Sequence, residues 1–226
     1  MSQTPLQKRN SCKKGDRILK LEYVLPNEIE ARSFEIIAQE LPHEIPEEIR
    51  PIVMRVIHTT ADFDYLDQLC FSKDAVRIAL DTIRQGAVFL TDTNMARAGI
   101  NQSALQKMNC EALCYMADAG IAKTAQQNAT TRAAAAVDRA AQLGKPVIYA
   151  VGNAPTALLR LHHHILQKTF IPALVIGVPV GFVNVVQSKE CIMETDVPYI
   201  IAKGRKGGSN VAAAICNALL YMAGGR

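Results

Sequence analysis

From residue 87 onward, the chain repeats a pattern in which a short apolar run is followed by a polar or glycine-rich segment and then by an amphipathic stretch. Five runs follow this pattern: 87–93, 110–119, 146–156, 173–182 and 197–210. Short continuous apolar runs that alternate with helices are typical of a parallel sheet covered on both faces. The pattern therefore predicts an α/β fold with three layers, in which a mainly parallel five-stranded sheet is flanked by helices.

Apolar positions at helical spacing predict helices before and between these strands. Asn27 is a candidate N-cap for a first helix that ends before Pro42. Pro46 opens a second helix that runs to His58, with Pro51 as a candidate bend. Further helices are predicted at 72–85, 124–143, 185–193 and 210–222, with one more opened by Pro155.

Length and composition favour one large domain. The chain has 226 residues, of which 49% are hydrophobic, and this is enough for one sizeable core. The first 25 residues are polar and contain no apolar segment of the kind that a secretory signal requires. We therefore expect a polar N-terminal extension over 1–25 and a single α/β domain over 26–226.

Charge and cysteine usage narrow the classes of function. The net charge of +4 is small, aromatic residues make up 5% of the chain and Trp is absent, so no basic-aromatic surface for nucleic acid is indicated. No apolar stretch is long enough to span a membrane. The six cysteines form no CxxC pair and several lie in apolar runs, which is typical of a reduced, cytoplasmic protein.

The segment 54–65 concentrates groups that can carry protons. An apolar stretch leads to His58, and Thr59, Asp62 and Asp64 follow. Histidine changes its protonation state near neutral pH, so His58 is a candidate general acid or base. The alternative is that His58 caps the end of a helix and that the residues after it begin the next turn.

Two of the segments that follow strands contain groups suited to anions. In GRKGGS (204–209), Arg205 and Lys206 stand among glycines before a helix, an arrangement that can bind phosphate or carboxylate groups. The spacing matches neither a P-loop nor a dinucleotide fingerprint, and the alternative is a flexible turn. Gly152 and Asn153 can offer backbone amides to a ligand or form an ordinary helix cap.

Three further features have both a functional and a structural interpretation. Asp92 follows a strand and is credible as a helix cap. Arg132 begins an alanine-rich segment, where an arginine is either solvated or a clamp for a carboxylate. The histidines at 162–164 suggest a metal site, but three consecutive helical residues point about 100° apart and cannot converge on one ion. We therefore expect no metal site there.

Seven stretches of the chain together resemble the precorrin-8X methylmutase family, whose members act in building the corrin ring of cobalamin. They are ARSFEII (31–37), RVIHTTADFD (55–64), TDTNM (91–95), TTRAAA (130–135), GNAPTAL (152–158), GVPVGFVNVVQSKE (177–190) and KGRKGGSN (203–210). These stretches run in family order, and their combination is specific to the family. The resemblance covers nearly all of the chain after about residue 27 and leaves the N-terminal extension outside.

The resemblance implies an isomerase of cobalamin biosynthesis that moves a methyl group from C-11 to C-12 of (cobalt-)precorrin-8, giving hydrogenobyrinate or cobyrinate. It also implies a homodimer with active sites near the subunit interface, a tetrapyrrole substrate and no redox cofactor. A cobalt ion, if present, would be carried by the substrate. The sequence HTTADF (58–63) is more similar to the anaerobic, cobalt-containing branch of the family than to the aerobic, cobalt-free branch.

The resemblance also implies roles for individual residues. His58 matches the catalytic histidine, and a proton given by it to a ring nitrogen would assist methyl migration as general acid catalysis. Ser33 and Arg132 match positions that resemble substrate contacts. The full candidate set for substrate binding is Arg32, Ser33, Thr59, Asp92, Arg132, Gly152, Asn153, Arg205, Gly207 and Gly208, and Lys206 is a further cation suited to the substrate carboxylates.

Two alternatives come from other classes of function. The chain could bind the corrinoid product and pass it on without chemistry, or it could be a nucleotide-binding α/β enzyme that uses the loop 204–208. Turnover of the precorrin-8 substrate separates the first from the isomerase. A nucleotide-induced thermal shift would separate the second.

Overall fold

The computed structural model describes residues 11–14, 17–20 and 22–225. The chain divides into two compact units, Met1–Pro42 and His43–Arg226, so the helix predicted near residue 27 is grouped with the N-terminal segment. In the first unit, β1 (Ser11–Lys14) and β2 (Arg17–Lys20) pair antiparallel, and α1 (Ile29–Glu40) follows. The remainder of the extension predicted over 1–25 lies largely outside the described residues.

The second unit contains a six-stranded sheet, which confirms the predicted α/β class but not the predicted number of strands. The strands are β3 (Leu69–Phe71), β4 (Val88–Thr91), β5 (Glu111–Leu113), β6 (Val147–Val151), β7 (Leu174–Gly177) and β8 (Tyr199–Ala202), in the order β3-β8-β7-β6-β4-β5. The last five are mutually parallel, as predicted. The sixth strand, β3, is three residues long and pairs antiparallel with β8, and it is too short for its apolar pattern to be recognised.

Ten helices of the second unit lie within the described residues. They are α2 (Arg50–Thr60), α3 (Tyr65–Gln68), α4 (Ala75–Arg84), α5 (Asn94–Gly99), α6 (Gln102–Lys107), α7 (Ala119–Gln127), α8 (Arg132–Ala140), α9 (Pro155–Leu166), α10 (Val185–Met193) and α11 (Ser209–Leu220). A last turn at Tyr221–Gly225 follows. No helix in residues 22–225 is long and apolar enough to cross a membrane.

Two helix predictions need correction. The segment 124–143 is not one helix, because Ala129 has a left-handed backbone (φ 47°) and the side chain of Thr131 accepts a hydrogen bond from the Ala134 N–H, which starts α8 anew. The helix that leads to His58 begins at Arg50 rather than at Pro46, so Pro51 lies in its first turn, where proline causes no bend.

Helices cover both faces of the sheet, as the three-layer prediction requires. On one face, α8, α9 and α10 place apolar side chains such as Val137, Leu158 and Ile192 against the strands in one buried cluster. On the other face, α11 contacts β6 and β7, and α2, α4 and α5 pack around it. Helix α11 is almost entirely apolar and buried, which is typical of a helix enclosed on all sides.

The direction of the strands brings several loops to one edge of the sheet. The parallel strands β4, β6, β7 and β8 all end at this carboxyl edge. Because β3 is antiparallel to β8, with Leu69 opposite Ala202, β3 begins where the others end. The segment that precedes β3, including the end of α2, therefore reaches the carboxyl edge. After β4 the chain continues to β5 at one end of the sheet, whereas after β6 it continues to β7 in the opposite direction. The strand order therefore reverses between the neighbouring strands β4 and β6. Ligands of α/β proteins often bind at such a point.

Candidate active site

His58 lies in the last turn of α2 and is exposed, whereas the apolar residues before it are buried. Ile52, Val53, Val56 and Ile57 are each at most 1% exposed and anchor the helix. The helix ends at Ala61, which has a left-handed backbone and donates its N–H to the Ile57 carbonyl. The burial of its apolar side therefore fixes α2 and leaves His58, with the exposed Thr59, at the end that leads toward the carboxyl edge.

The aspartates that follow His58 are bound to a lysine from the far end of the chain. Lys206 Nζ donates to Asp62 Oδ2 at 2.6 Å and to Asp64 Oδ2 at 2.5 Å. The hydrogen bond from Lys206 lowers the pKa of Asp62. The Asp62 carboxylate also accepts the Asp64 N–H at 3.0 Å, which closes the turn between them. Lys206 was predicted as a cation for substrate carboxylates, but its charge is already paired within the chain.

The glycine-rich loop after β8 packs tightly on the loop after β7. The Gly208 N–H donates to the Val178 carbonyl at 2.9 Å, and the Gly181 N–H donates to the Arg205 carbonyl at 3.2 Å. Gly207 has a φ of 154°, and a Cβ there would lie 2.1 Å from the Val178 oxygen. Glycine is therefore required at 207 for the approach of the two loops, and the loop is packed rather than loose.

Lys189 supports the glycine-rich loop from inside the protein, a role that no motif in the sequence predicts. Its side chain is 1% exposed, and its Nζ donates to the Gly204 carbonyl at 2.8 Å and the Lys206 carbonyl at 2.9 Å. Burial lowers the pKa of Lys189 to about 8. The only signal in the sequence was its position in the buried stripe of α10, four residues after Val185 and three before Ile192.

Asp92 is buried at the reversal point of the sheet and organises the loop after β6. Its Oδ1 accepts the Gly152 N–H at 2.8 Å, and its Oδ2 accepts the N–H groups of Asn153 and Ala154 at 2.8 and 2.6 Å. Burial raises the pKa of Asp92, although the three N–H donors favour the carboxylate. With 2% of its surface exposed, Asp92 shapes the site rather than presenting oxygen atoms to a ligand.

The loop after β6 and the start of α11 are in direct contact. A Cβ at Gly152 would lie 2.8 Å from Cα of Ser209, so only glycine allows this approach. Ser209 Oγ in turn forms a hydrogen bond of 2.7 Å with Thr93 Oγ1, the cap of α5. Gly152 is buried by these contacts, whereas Asn153 is exposed at the surface of the loop. Of this pair, Asn153 is the residue that a ligand can reach.

Exposed side chains on the loops at the carboxyl edge of the sheet include one cation, Arg205, and the apolar residues Met95, Phe182 and Val183. We call this set of exposed apolar side chains the apolar mouth. Arg205 lies with its guanidinium 5.3 Å from the centre of the Phe182 ring. Phe182 and Val183 are 80% and 79% exposed, and Met95, which follows β4, is 72% exposed. Arg205 is thus the cation of the glycine-rich loop that a ligand can reach. Phe182 beside it, with the neighbouring Val183, suits the flat face of a large ligand.

Arg132 is exposed at the first turn of α8, close to α9. Thr131, which caps α8, donates a hydrogen bond to Thr156 Oγ1 in the first turn of α9 at 2.9 Å. An open cavity of about 580 Å³ lies beside these helix ends, and its lining combines apolar side chains with the polar groups of Thr131, Thr156, Arg160 and His163. Arg132 is therefore accessible from solvent, as a contact to a carboxylate requires.

Arg32 and Ser33 lie on α1 in the first unit. Ser33 Oγ donates to the Ile29 carbonyl at 2.8 Å. Arg32 is bonded to Glu22 at 2.7 Å and Glu35 at 3.2 Å, and these partners raise its pKa. The structure describes these two candidates within their own unit, and their role in substrate binding stays a prediction.

The three consecutive histidines have separate surroundings. His164 Nε2 lies 2.7 Å from Asp138 Oδ1, and its Nδ1 lies 2.7 Å from Thr169 Oγ1, whereas His163 is exposed. Arg160 is bonded to the same carboxylate at 2.6 Å. Burial alone would raise the pKa of Asp138, but the hydrogen bonds from Arg160 and His164 outweigh it and the pKa is lowered. This cluster ties α9 to α8.

Comparison with known proteins gives one consistent result. The sequence model of the family described as precorrin-8X methylmutase matches residues 28–222. The cobalt-precorrin-8 methylmutase of Salmonella typhimurium is 46% identical over 208 residues, which cover 87% of this chain and 95% of that protein. The cobalt-precorrin-8 methylmutase of Priestia megaterium is 41% identical over 201 residues, covering 88% of this chain and 89% of that protein.

Solved structures agree with the sequence comparison. The crystal structure of precorrin-8x methyl mutase from Thermus thermophilus superposes with a TM-score of 0.80 at 41% sequence identity, and the match covers 87% of this chain and 97% of that one. A second structure, of a precorrin-8X methylmutase related protein, gives a TM-score of 0.76 at 29% identity, with 84% and 99% covered.

Proposed function

The chain belongs to the precorrin-8X methylmutase family, and on this premise we propose that it moves a methyl group from C-11 to C-12 of cobalt-precorrin-8 to give cobyrinate. It is thus a methylmutase, an isomerase of cobalamin biosynthesis. The observation that carries the assignment of roles is the position of His58, exposed at the end of a buried helix. The segment that follows His58 is bonded by Lys206 to the loop after β8.

The reaction is an internal migration, so it requires no nucleophile and no hydride. It does require a change in the electron distribution of the macrocycle. In our proposal, His58 donates a proton to a ring nitrogen, the methyl group migrates with its bonding electrons, and the proton returns to the histidine. General acid catalysis of this kind typically contributes about 10²–10⁴-fold. The protein supplies no cofactor in this scheme, and cobalt is part of the substrate.

The carboxylates on the substrate periphery need cations and N–H donors. Arg132 and Arg205 are the candidate cations, because both are exposed and Arg205 lies beside the apolar mouth. A charge-assisted bond from either would be stronger than a neutral hydrogen bond. Asn153 is the exposed member of the loop after β6 and completes the set. Phe182 and Val183 would contact the apolar face of the macrocycle.

The cobalt-containing substrate is proposed on the basis of similarity. The relative named cobalt-precorrin-8 methylmutase from Salmonella typhimurium reaches 46% identity, whereas the solved precorrin-8x methyl mutase reaches 41%. The wording HTTADF (58–63) points the same way. The metal-free substrate is the alternative that a parallel assay tests.

A homodimer in the cytoplasm is the assembly that we propose. Exposed Met95, Phe182 and Val183 would lie where a second copy meets the substrate site, so that the partner covers the part of these side chains that the macrocycle leaves exposed, and burying such side chains favours association. The cytoplasm is proposed because free thiols persist in a reducing compartment, and five cysteines among the described residues are free thiols. The five are Cys70, Cys110, Cys114, Cys191 and Cys216.

Absorption spectroscopy tests the function directly. The purified protein is incubated with cobalt-precorrin-8 and, separately, with metal-free precorrin-8, and the spectrum of each is followed over time. We expect conversion of the cobalt-containing substrate to the spectrum of cobyrinate. Stoichiometric binding of cobyrinate without conversion of either substrate would instead indicate a carrier.

A further inference from the structure

We propose that Lys189 and Lys206 are positioning residues that act in series to hold the segment after His58 against the glycine-rich loop. This lysine bridge consists of the two lysines with their partners Gly204, Asp62 and Asp64. Its bearing on catalysis rests on the function proposed above, whereas its effect on the loop can be measured without substrate. Neither lysine touches the substrate in this proposal.

The inner half of the bridge is the buried amine of Lys189. Burying an ammonium group is unfavourable unless its donors are used. Lys189 Nζ uses two of them on the carbonyl oxygens of Gly204 and Lys206, residues two apart in the same loop. The Lys189 side chain thus reaches from α10 to the loop and holds the backbone carbonyl of Lys206 in place. An apolar residue at 189 would fill the space without holding the loop.

The outer half is the side chain of Lys206. Its ammonium bridges two carboxylates at 2.6 and 2.5 Å, and its pKa is raised by these hydrogen bonds. Asp62 and Asp64 lie four and six residues after His58, directly beyond the end of α2. An exposed ion pair contributes little to stability, so the role we propose for Lys206 is to fix the position of the segment after His58. Displacement of a catalytic group by about 1 Å can reduce a rate by about 100-fold.

The alternative role for Lys206 is direct binding of a substrate carboxylate. The two roles predict opposite results when the aspartates are neutralised. If Lys206 binds substrate, Asp62→Asn with Asp64→Asn frees its charge and lowers KM. If Lys206 positions the His58 segment, the same double substitution removes both ion pairs, weakens the bridge and lowers kcat, and Lys206→Met added to it lowers kcat by less than it does in the wild type.

Steady-state kinetics with cobalt-precorrin-8 therefore tests the bridge. We expect Lys206→Met and Lys189→Met each to lower kcat roughly 10–100-fold with KM changed by less than about threefold. Lys206→Arg should retain most of the activity, because a guanidinium can donate to both carboxylates. Lys145→Met is the matched control, since Lys145 also forms an ion pair, with Glu111, but at the start of the sheet strands.

Hydrogen–deuterium exchange of the unliganded protein provides the second measurement. Amides of the loop should exchange faster in both lysine variants, and their exchange rates should be unchanged in the control. Two such amides are those of Lys203, bonded to the Gln68 carbonyl, and Gly208, bonded to the Val178 carbonyl. If the exchange rises but kcat stays the same, or if KM alone rises, the positioning role is wrong. Normal turnover by His58→Asn would overturn the proposed mechanism, whereas unchanged exchange in both lysine variants would overturn the bridge.

Discussion

The Oδ2 atom of Asp92 accepts the backbone N–H of Ala154 at 2.6 Å, at the point of the sheet where strand order reverses. Ligands of α/β proteins often bind in this crevice. Here a carboxylate of the protein itself occupies the position and bonds to three successive N–H groups of the loop after β6. The relationship indicates that Asp92 holds this loop in shape.

Replacement of Asp92 by Asn should destabilise the protein. An amide supplies one acceptor oxygen where three N–H donors converge, and its NH₂ group would face a donor. We expect the free energy of unfolding to fall by roughly 2–4 kcal/mol. Urea denaturation measures this change, and Asp196→Asn at an exposed position is the control. A loss of less than about 0.5 kcal/mol would show that the loop does not depend on the carboxylate.

Replacement of His58 by Asn should separate catalysis from folding. Asparagine retains a hydrogen-bond donor but cannot supply a proton. We expect the variant to fold and to bind cobyrinic acid, with turnover slowed by roughly 10²–10⁴-fold. Melting temperature, product affinity and turnover are measured on one preparation. If His58 only caps α2, stability falls by about 1 kcal/mol while the turnover of folded protein stays the same.

Replacement of Arg132 by Ala should weaken corrinoid binding without affecting the fold. A charge-assisted bond to a carboxylate contributes about 1.5–3 kcal/mol, equivalent to roughly 10–150-fold in affinity. Titration with cobyrinic acid, monitored by absorption, measures the effect. Arg139→Ala is the matched control because Arg139 lies in the last turn of the same helix. Equal affinities of the two variants would show that Arg132 is a solvated side chain that does not bind the corrinoid.

The stability of the protein should depend on Lys189 in alkaline solution. Its pKa is about 8 in the folded protein and about 10.5 in the unfolded chain, so the unfolded chain binds more protons between these values. Stability therefore rises with pH across this window by an amount on the order of 3 kcal/mol from this group. Denaturation of wild type and Lys189→Met at pH 7.5 and pH 10 gives the difference. A parallel pH dependence in both proteins would contradict the prediction.

The protein should be a dimer in solution, with the apolar mouth at the interface. Light scattering at micromolar concentration should give about twice the chain mass of 24.7 kDa. Val183→Asp should shift the protein to monomer, because a charge would be buried at the interface. Leu166→Asp, at an exposed apolar position at the end of α9, should remain dimeric. A monomeric wild-type protein would contradict the prediction and would mean that the active site is formed by one chain alone.

The amino-acid sequence by itself determined the fold class and the family. Strands such as 147–151 and 174–177 are apolar at every position because both faces of a parallel sheet are covered, and this pattern is local. The motifs around His58, Gly152 and Gly207 are likewise contiguous, so they can be recognised without knowledge of the fold. The break at Ala129 was missed because the alanine-rich flanks on both sides favour helix, although Thr131 is a cap signal.

Only the tertiary structure decided which of these residues meet. Strand β3 is three residues long, and its antiparallel pairing with β8 is what brings the segment after His58 to the carboxyl edge. The contact of Lys206 with Asp62 spans 144 residues of sequence, and the contact of Lys189 with the glycine-rich loop depends on the packing of α10. Hydrophobic periodicity reports whether a side chain is buried. The partner of a buried amine or carboxylate depends on strand order and on the path of distant loops, which local pattern does not contain.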